Sequence, residues 1–229
     1  MNSVSHSLLS DASILTHIKQ GNIVITPFKK ENLGTVSYDV TLGEWYFQEQ
    51  NPEPGLSCYS PWSEEDIKRV WGRPKKAELA KSFTKRTGLN LPSGIFQNDL
   101  LIWIPPGETF LCHTKEFIGG RNVVTTMMKA RSSLGRNFIE ICKCAGWGDV
   151  GYINRWTMEI TNNSKYYTIP LVVGRRIAQI AFFEVDPILN RDYVQNGKYQ
   201  SQKDLEKVKI SWRPDDMLPK MWKDREVKK

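Results

Sequence analysis

Two arginines and two hydroxyl groups stand close together in ARSSLGR, residues 130–136. The planar guanidinium of arginine pairs with phosphate oxygens through two hydrogen bonds, and serine hydroxyls donate further ones. Gly135 allows backbone amides to come close to an anion. The segment is typical of a phosphate-binding cradle, but a turn whose arginines bind carbonyls or acids explains the same residues equally well.

Glu159 stands in the middle of the strand-like run RWTMEITN. Alternation places Glu159 and Thr157 on one strand face, opposite Trp156, Met158 and Ile160. In a partly dry cavity, desolvation would raise the pKa of Glu159 and suit it to moving protons near neutral pH. On a wet face it would be an ordinary exposed carboxylate, and the strand pattern alone favours that simpler reading.

Three glycines surround Trp147 and Asp149 in AGWGDVGY, residues 145–152. Glycine backbone can pass close to a ligand because it has no β carbon. Asp149 could accept a hydrogen bond from a sugar hydroxyl or end a strand. This segment alone is a weak indication of a site.

A zinc site is not expected from the sequence. Zinc-dependent nucleobase deaminases carry an HxE and a PCxxC motif, and neither is present. Cys142 and Cys144 have no second pair, so core cysteines are the simpler interpretation. The three histidines are isolated, which leaves little support for a Ser/His/Asp triad.

The 229-residue length is sufficient for one domain over residues 1–229. The opening MNSVSHSLLSD has no secretory pattern and no apolar run is long enough to span a bilayer, so we expect a cytoplasmic protein without membrane contact. The net charge of +7 is concentrated in residues 63–86 and at the carboxyl terminus. Solvated helix faces explain it better than nucleic-acid binding does.

The pattern of elements predicts a mainly β fold with a short N-terminal helix. Ser10 or Asp11 can cap that helix, and strands follow at NIVITPF and SYDVTLGEWYF, with a bend at Gly43. Residues 49–106 are interpreted as a helical insertion, with helices at EEDIKRVW and KKAELAKSFTKR. From about residue 187 the chain is polar, as in a tail that covers a site or drapes over a neighbour.

After Pro106, β-type runs recur at short intervals separated by turns. They are TFLCHTKEF, NVVTTMMKA, NFIEICKC, NRWTMEITN, YYTIPLVV and RRIAQIAFFEV. Short strands at even spacing indicate a barrel or jelly roll.

The order of five motifs resembles the dCTP deaminase family, within the dCTP deaminase/dUTPase superfamily. The motifs are RSSLGR, AGWxDxGY, TMEITN, PLVVGRRIAQIAFFEV and KYQSQ. The likeness covers most of residues 8–48 and 107–202. It implies a distorted β-barrel or jelly roll of the dUTPase-like type, a homotrimer with sites between subunits, and no zinc.

The resemblance also implies a substrate and roles for individual residues. dCTP, carrying Mg²⁺ on its triphosphate, would be hydrolysed to dUTP and ammonia, with Glu159 as the proton carrier; dTTP is a candidate inhibitor. Ser132 and the carbonyl of Ala145 would hold the catalytic water. The family's pattern assigns nucleotide binding to Arg131, Ser132, Ser133, Arg136, Trp147, Asp149, Thr157, Met158, Tyr193, Lys198, Tyr199 and Gln202, with Arg136 also catalytic.

Departures from the family pattern bear on the product and on the tail. Trp147 stands where the monofunctional type has arginine and the bifunctional type an aromatic residue, which favours further hydrolysis of dUTP to dUMP and diphosphate. Val150 stands where proline is frequent, and Tyr193 is out of register with the family's tail tyrosine. A dUTPase lacking deaminase activity, and a regulator that binds nucleotides without turnover, remain the alternatives.

Overall fold

The computed structural model describes residues 7–189 and 193–227. Serine side chains cap its first two helices. Ser10 caps the first helix and its Oγ accepts a hydrogen bond from the Ser13 N–H at 3.4 Å. Ser63 caps the second by accepting from the Asp66 N–H at 3.2 Å. The helices are α1 (Asp11–Lys19), α2 (Glu64–Trp71), α3 (Ala80–Thr87), α4 (Ser132–Gly135), α5 (Tyr193–Asn196) and α6 (Leu205–Ser211).

The strands carry the main architecture. They are β1 (Ile23–Thr26), β2 (Tyr38–Gln48), β3 (Lys75–Lys76), β4 (Glu78–Leu79), β5 (Leu100–Ile104), β6 (Thr109–Gly120), β7 (Val124–Ala130), β8 (Ile139–Glu140), β9 (Trp147–Gly148), β10 (Ile153–Asn162), β11 (Ile169–Val172) and β12 (Arg176–Glu184). Short 3-10 turns include Cys142–Cys144 and Pro214–Met217.

One curled, antiparallel sheet contains most of these strands. Its order is β8, β10, β6, β2, β12, β7 and β9, with β1 added beside β6 and β3 beside β2. A smaller sheet orders β11, β5 and β4. The prediction of a mainly β, barrel-like fold with a short N-terminal helix is therefore confirmed.

The concave side of the large sheet packs a continuous apolar core. Tyr38, Val40 and Leu42 are fully buried there, as the alternation in β2 predicts. Met158 and Ile160 of β10 join the same core. The opposite face of β10, which carries Glu159, is therefore left to line a different part of the molecule.

Two predictions of local structure are wrong. The first half of KKAELAKSFTKR forms β3 and β4 instead of helix, because its backbone pairs with β2 and β5. In NFIEICKC only β8 is a strand. β2 continues through Gly43, and its pairing with β6 shifts register between Leu42 and Tyr46. A β carbon at Gly43 would overlap with the His113 ring, so close packing also requires this glycine.

A strand was missed inside the stretch interpreted as an insertion. β5 pairs with β11, and its residues Ile102 and Ile104 are buried in the main core. The helices of the insertion do form as α2 and part of α3.

The carboxyl-terminal segment packs against its own chain. A second apolar cluster, here called the C-terminal cluster, joins it to β2, β6 and α2. Its buried members are Phe47, Ile67, Leu111, Phe117, Val208, Trp212, Met217 and Leu218. Among the described residues, none of the helices has the length and hydropathy needed to cross a bilayer.

Candidate active site

A cavity of about 440 Å³ opens beside β10 and brings together many of the predicted site residues. Those that line it are Ala145, Trp147, Asp149, Thr157, Glu159, Tyr193 and Tyr199. The volume is in the range of small-molecule sites. Residues separated by more than 50 positions in the sequence therefore meet around one carboxylate.

Strand β10 points Glu159 and Thr157 into this cavity. Glu159 is paired with Leu111 of β6 in the antiparallel ladder, which fixes the position of its backbone. A register shift lies between Arg155 and Thr157, and at this irregularity the Trp156 N–H donates to Thr114 Oγ1 at 2.9 Å. The irregularity lets Trp156, although largely buried, also reach the cavity.

The cavity changes the acidity of Glu159. Burial raises the pKa of this carboxyl above its ordinary value, because the charged form loses hydration. The positive charge of Lys143 acts in the opposite direction and is the smaller effect. A carboxylate with a raised pKa and a fixed position is suited to accept and return protons.

The side chain of Met158 is fully buried in the main core, on the strand face opposite Glu159. Its backbone follows that of Thr157 in β10. Any contribution of Met158 to a ligand would therefore come from main-chain atoms.

A left-handed turn presents Ala145 to the cavity. Cys142, Lys143 and Cys144 have φ values of 67°, 36° and 68°, a region that costs energy for residues other than glycine. The Ala145 N–H closes the turn by donating to the Cys142 carbonyl at 2.5 Å. This conformation ends the strand that the sequence predicts here.

The glycines that follow this turn serve contacts within the protein. A β carbon at Gly146 would overlap with the Met128 carbonyl, and one at Gly148 would overlap with the Trp156 ring. The sequence suggests that the glycine backbone passes close to other atoms, and it does. Those atoms belong to β7 and β10 of the protein itself. Between the two glycines, Trp147 is 58% exposed and lines both this cavity and a second one of about 590 Å³.

The predicted phosphate cradle lies outside the cavity. Ser132, Ser133 and Arg136 are exposed in and beside α4, and in the described parts of the chain none of them lines the Glu159 cavity. Arg131 pairs with Asp39 at 3.4 Å, an acid that also binds Arg176 at 3.0 Å. This ion pair is of the kind that the turn interpretation allows, and the Arg131 side chain remains 29% exposed.

The tail motif is docked at the rim of the cavity. The Tyr199 hydroxyl accepts a hydrogen bond from the Lys220 N–H at 3.1 Å, and Lys198 binds the Asp224 carboxylate. Gln202 and Lys198 line a neighbouring cavity of about 510 Å³ that Tyr199 separates from the first. Lys198 and Gln202 are thus next to the Glu159 cavity but not in it.

Sequence reasoning missed several residues of the site. Trp71, Tyr152, Met217 and Pro219 line the cavity. Gln200 is buried and its Oε1 accepts from the Ile153 N–H at 2.8 Å, which fixes the tail motif on β10. Only Tyr152 and Gln200 lay within quoted motifs, so the others carried no recognisable signal.

A resident metal ion would need several ligating side chains close together. Within residues 7–189 and 193–227, no group of three or more His, Cys, Asp or Glu side chains converges on a point. Cys112 and Cys142 are buried, and Cys58 and Cys144 are exposed, all as free thiols.

Comparison with known proteins is consistent with this geometry. A family model described as dCTP deaminase-like matches residues 8–185. This chain belongs to the dCTP deaminase-like family. The matched region contains the cradle, the glycine-rich loop and Glu159, but not the tail motif.

Relatives and a solved structure extend the family match. A "dCTP deaminase, dUMP-forming" from Hydrogenobaculum sp. is 32% identical over 181 residues, which are 79% of this chain and 84% of the relative. One from Nanoarchaeum equitans is 29% identical over 197 residues, covering 86% and 93%. The crystal structure of 2'-deoxycytidine 5'-triphosphate deaminase from Agrobacterium tumefaciens shares the fold with a TM-score of 0.53 at 15% identity. That match covers 81% of this chain and 51% of the solved one, so this chain spans about half its length.

Proposed function

We propose that the protein deaminates dCTP by hydrolysis and converts the dUTP formed to dUMP and diphosphate. The observation that carries the proposal is Glu159, a carboxylate with a raised pKa in an aromatic cavity together with Thr157 and Asp149. A pyrimidine ring stacks on aromatic side chains, at about 1–3 kcal/mol per base. The names of the relatives, "dCTP deaminase, dUMP-forming", support this choice of substrate and product.

Deamination requires one water and a proton carrier. The water oxygen bonds to C4 of cytosine while Glu159 takes a water proton and passes it to N3. Glu159 then moves the remaining hydroxyl proton to the amino group, the C4–N bond breaks, and ammonia leaves a C4 carbonyl behind. Ala145 lines the same cavity, and its carbonyl would hold this water together with Ser132.

Ser132 and Arg136 would reach the nucleotide from a neighbouring copy of the chain. Both are exposed and lie outside the cavity of their own subunit, which supports sites shared between subunits of a homotrimer. Arg136, Ser133 and Arg131 would bind the triphosphate with the Mg²⁺ that it carries. Asp149 would accept a hydrogen bond from the deoxyribose, and Tyr199 with Lys198 and Gln202 would cover the nucleotide.

Diphosphate release would follow at the same site. A second water would attack the α-phosphorus of dUTP, and the bond to the β-phosphate oxygen would break. Trp147 borders the cavity and is exposed enough to contact a nucleotide. Its aromatic side chain, in place of arginine, supports the dUMP-forming type.

The deciding experiment incubates the purified protein with dCTP and Mg²⁺ and measures ammonia and diphosphate separately. We expect both products from the wild type. Glu159→Gln keeps the shape of the side chain but cannot carry a proton, so it should bind dCTP in calorimetry and release no ammonia; the exposed Glu53→Gln is the matched control. Diphosphate from dUTP without ammonia from dCTP would indicate a dUTPase, and binding without either product would indicate a regulator.

A further inference from the structure

The wall of the Glu159 cavity includes residues that come from two distant parts of the chain. Trp71 is the last residue of α2, while Met217 and Pro219 belong to the carboxyl-terminal segment. Residues 217 and 219 lie beyond the end of the family match at residue 185. This part of the wall is therefore an addition to the region that the family model describes.

The added wall is held rigidly by the C-terminal cluster. Met217 is only 3% exposed and packs in the same apolar cluster as Ile67 of α2, with Trp71 against it. Asp204 caps α6 by accepting hydrogen bonds from the Glu206 and Lys207 N–H groups at 2.9 and 3.2 Å. A buried apolar cluster and a capped helix together indicate a fixed wall and not a mobile tail.

After Met217, polar contacts also hold the carboxyl-terminal segment against the tail motif. The Lys220 N–H donates to the Tyr199 hydroxyl at 3.1 Å, and Tyr199 itself lines the cavity. The Lys220 ammonium lies 5.4 Å from the centre of the Tyr199 ring. Met217 and Pro219 are thus fixed between the C-terminal cluster on one side and the tail motif on the other.

We propose that Trp71 and Met217 form an apolar wall of the nucleobase pocket and determine how tightly the base binds. The inference rests on the proposed function, because it takes the Glu159 cavity as the place of the base. An indole face and a polarisable thioether both make favourable contacts with an aromatic ring. Both are large and weakly polar, so they would also limit the access of water to the cavity.

Exclusion of water links this wall to the acidity of Glu159. The raised pKa of Glu159 has desolvation as its main cause. Truncating Met217 would admit water to the cavity and lower that pKa toward the ordinary carboxyl value. The acidic limb of the pH profile should then move to lower pH, an effect that a general loss of stability would not produce.

The test compares Met217→Ala with Met217→Leu and with Ile210→Ala, a control in α6 that is 73% exposed. For Met217→Ala we expect KM for dCTP to rise about tenfold, with a smaller change in kcat. Met217→Leu conserves volume and should restore a KM close to that of the wild type. Trp71→Leu should also raise KM, whereas Trp62→Leu, at an exposed position, should not.

The possible outcomes separate this inference from the proposed function. If Met217→Ala and Trp71→Leu both have the kcat, the KM and the pH profile of the wild type, the proposed role of the wall is wrong. If the wild type releases no ammonia from dCTP, only the deaminase proposal is wrong. Calorimetric titrations with dCTP, dUTP and dTTP would then test whether the wall determines how tightly the base binds. Equal dissociation constants in wild type and both variants, or no binding of any of the three to the wild type, would refute it.

Discussion

The Arg155 guanidinium carbon lies 4.4 Å from the centre of the Trp212 ring. The same guanidinium lies 5.0 Å from the Phe117 ring, and the His113 ring is 4.7 Å from that of Trp212. Arg155 belongs to β10 and Trp212 follows α6, so this contact joins the strand that carries Glu159 to the carboxyl-terminal segment. The position of the segment therefore depends on a stacked cation and not on the hydrophobic cluster alone.

We expect Trp212→Ala to release the carboxyl-terminal segment while the sheet stays folded. Loss of the largest ring in the C-terminal cluster should cost roughly 3 kcal/mol. Limited proteolysis should then cut the segment much faster than in the wild type, with the Trp62→Ala variant as a control for an exposed tryptophan. Equal cleavage rates in the three proteins would contradict a docking role for Trp212.

The pH dependence of activity should reflect the raised pKa of Glu159. Glu159 must be ionised to take the water proton, so kcat/KM should fall as pH decreases through its pKa, at a higher pH than for an ordinary carboxyl group. A profile measured from pH 4 to 9 checks this. An acidic limb at the ordinary carboxyl value would argue against Glu159 as the proton carrier.

Because Glu159 is buried, its ionised form should destabilise the folded protein at neutral pH. Because the folded pKa is raised, the folded state favours the protonated form, and stability is lost as pH rises through that pKa. Glu159→Gln should therefore raise the melting temperature at pH 7 and have less effect at pH 4. A melting temperature lowered at pH 7 would show that the carboxylate is stabilised by its surroundings.

His113 should make the fold sensitive to acid. Burial lowers its pKa from 6.5 to about 4, and its Nδ1 lies 2.8 Å from the Thr114 carbonyl while its Nε2 accepts from the Trp45 N–H at 3.2 Å. Its contribution to stability is present above pH 6.5 and lost as pH falls through about 4, to a total of roughly 3 kcal/mol. Urea denaturation between pH 4 and 8 should show this slope, which His113→Gln should reduce.

Sites shared between subunits can be tested by mixing inactive variants. Glu159→Gln and Arg136→Ala should each be inactive alone, since the first lacks the proton carrier and the second a phosphate ligand. Coexpression should restore roughly a quarter of wild-type activity, because one in four randomly formed interfaces combines an intact Glu159 with an intact Arg136. A mixture as inactive as either variant would place both residues of a working site in one chain.

Sequence patterns were sufficient to predict the helices and strands whose residues face a continuous core. Alternation correctly placed Tyr38, Val40 and Leu42 of β2 in the core, and Thr157 and Glu159 of β10 on the cavity side, because alternation is a local property of an extended backbone. Capping by Ser10 and Ser63 was equally local. Other elements were decided by strand pairing between distant parts of the chain. Lys75–Lys76 forms a strand and not a helix because its backbone pairs with Trp45 and Tyr46 of β2.

The sequence by itself determined which residues could do chemistry, through ARSSLGR and Glu159 and the motifs in order around them. Only the tertiary structure decided that Glu159 lies in a desolvated cavity, that ARSSLGR is exposed outside it, and that Trp71 and Met217 line its wall. Burial and the resulting pKa depend on what packs around a residue. Trp71 and Met217 are more than 50 positions away from Glu159 in the chain, so no local pattern could reveal their contribution.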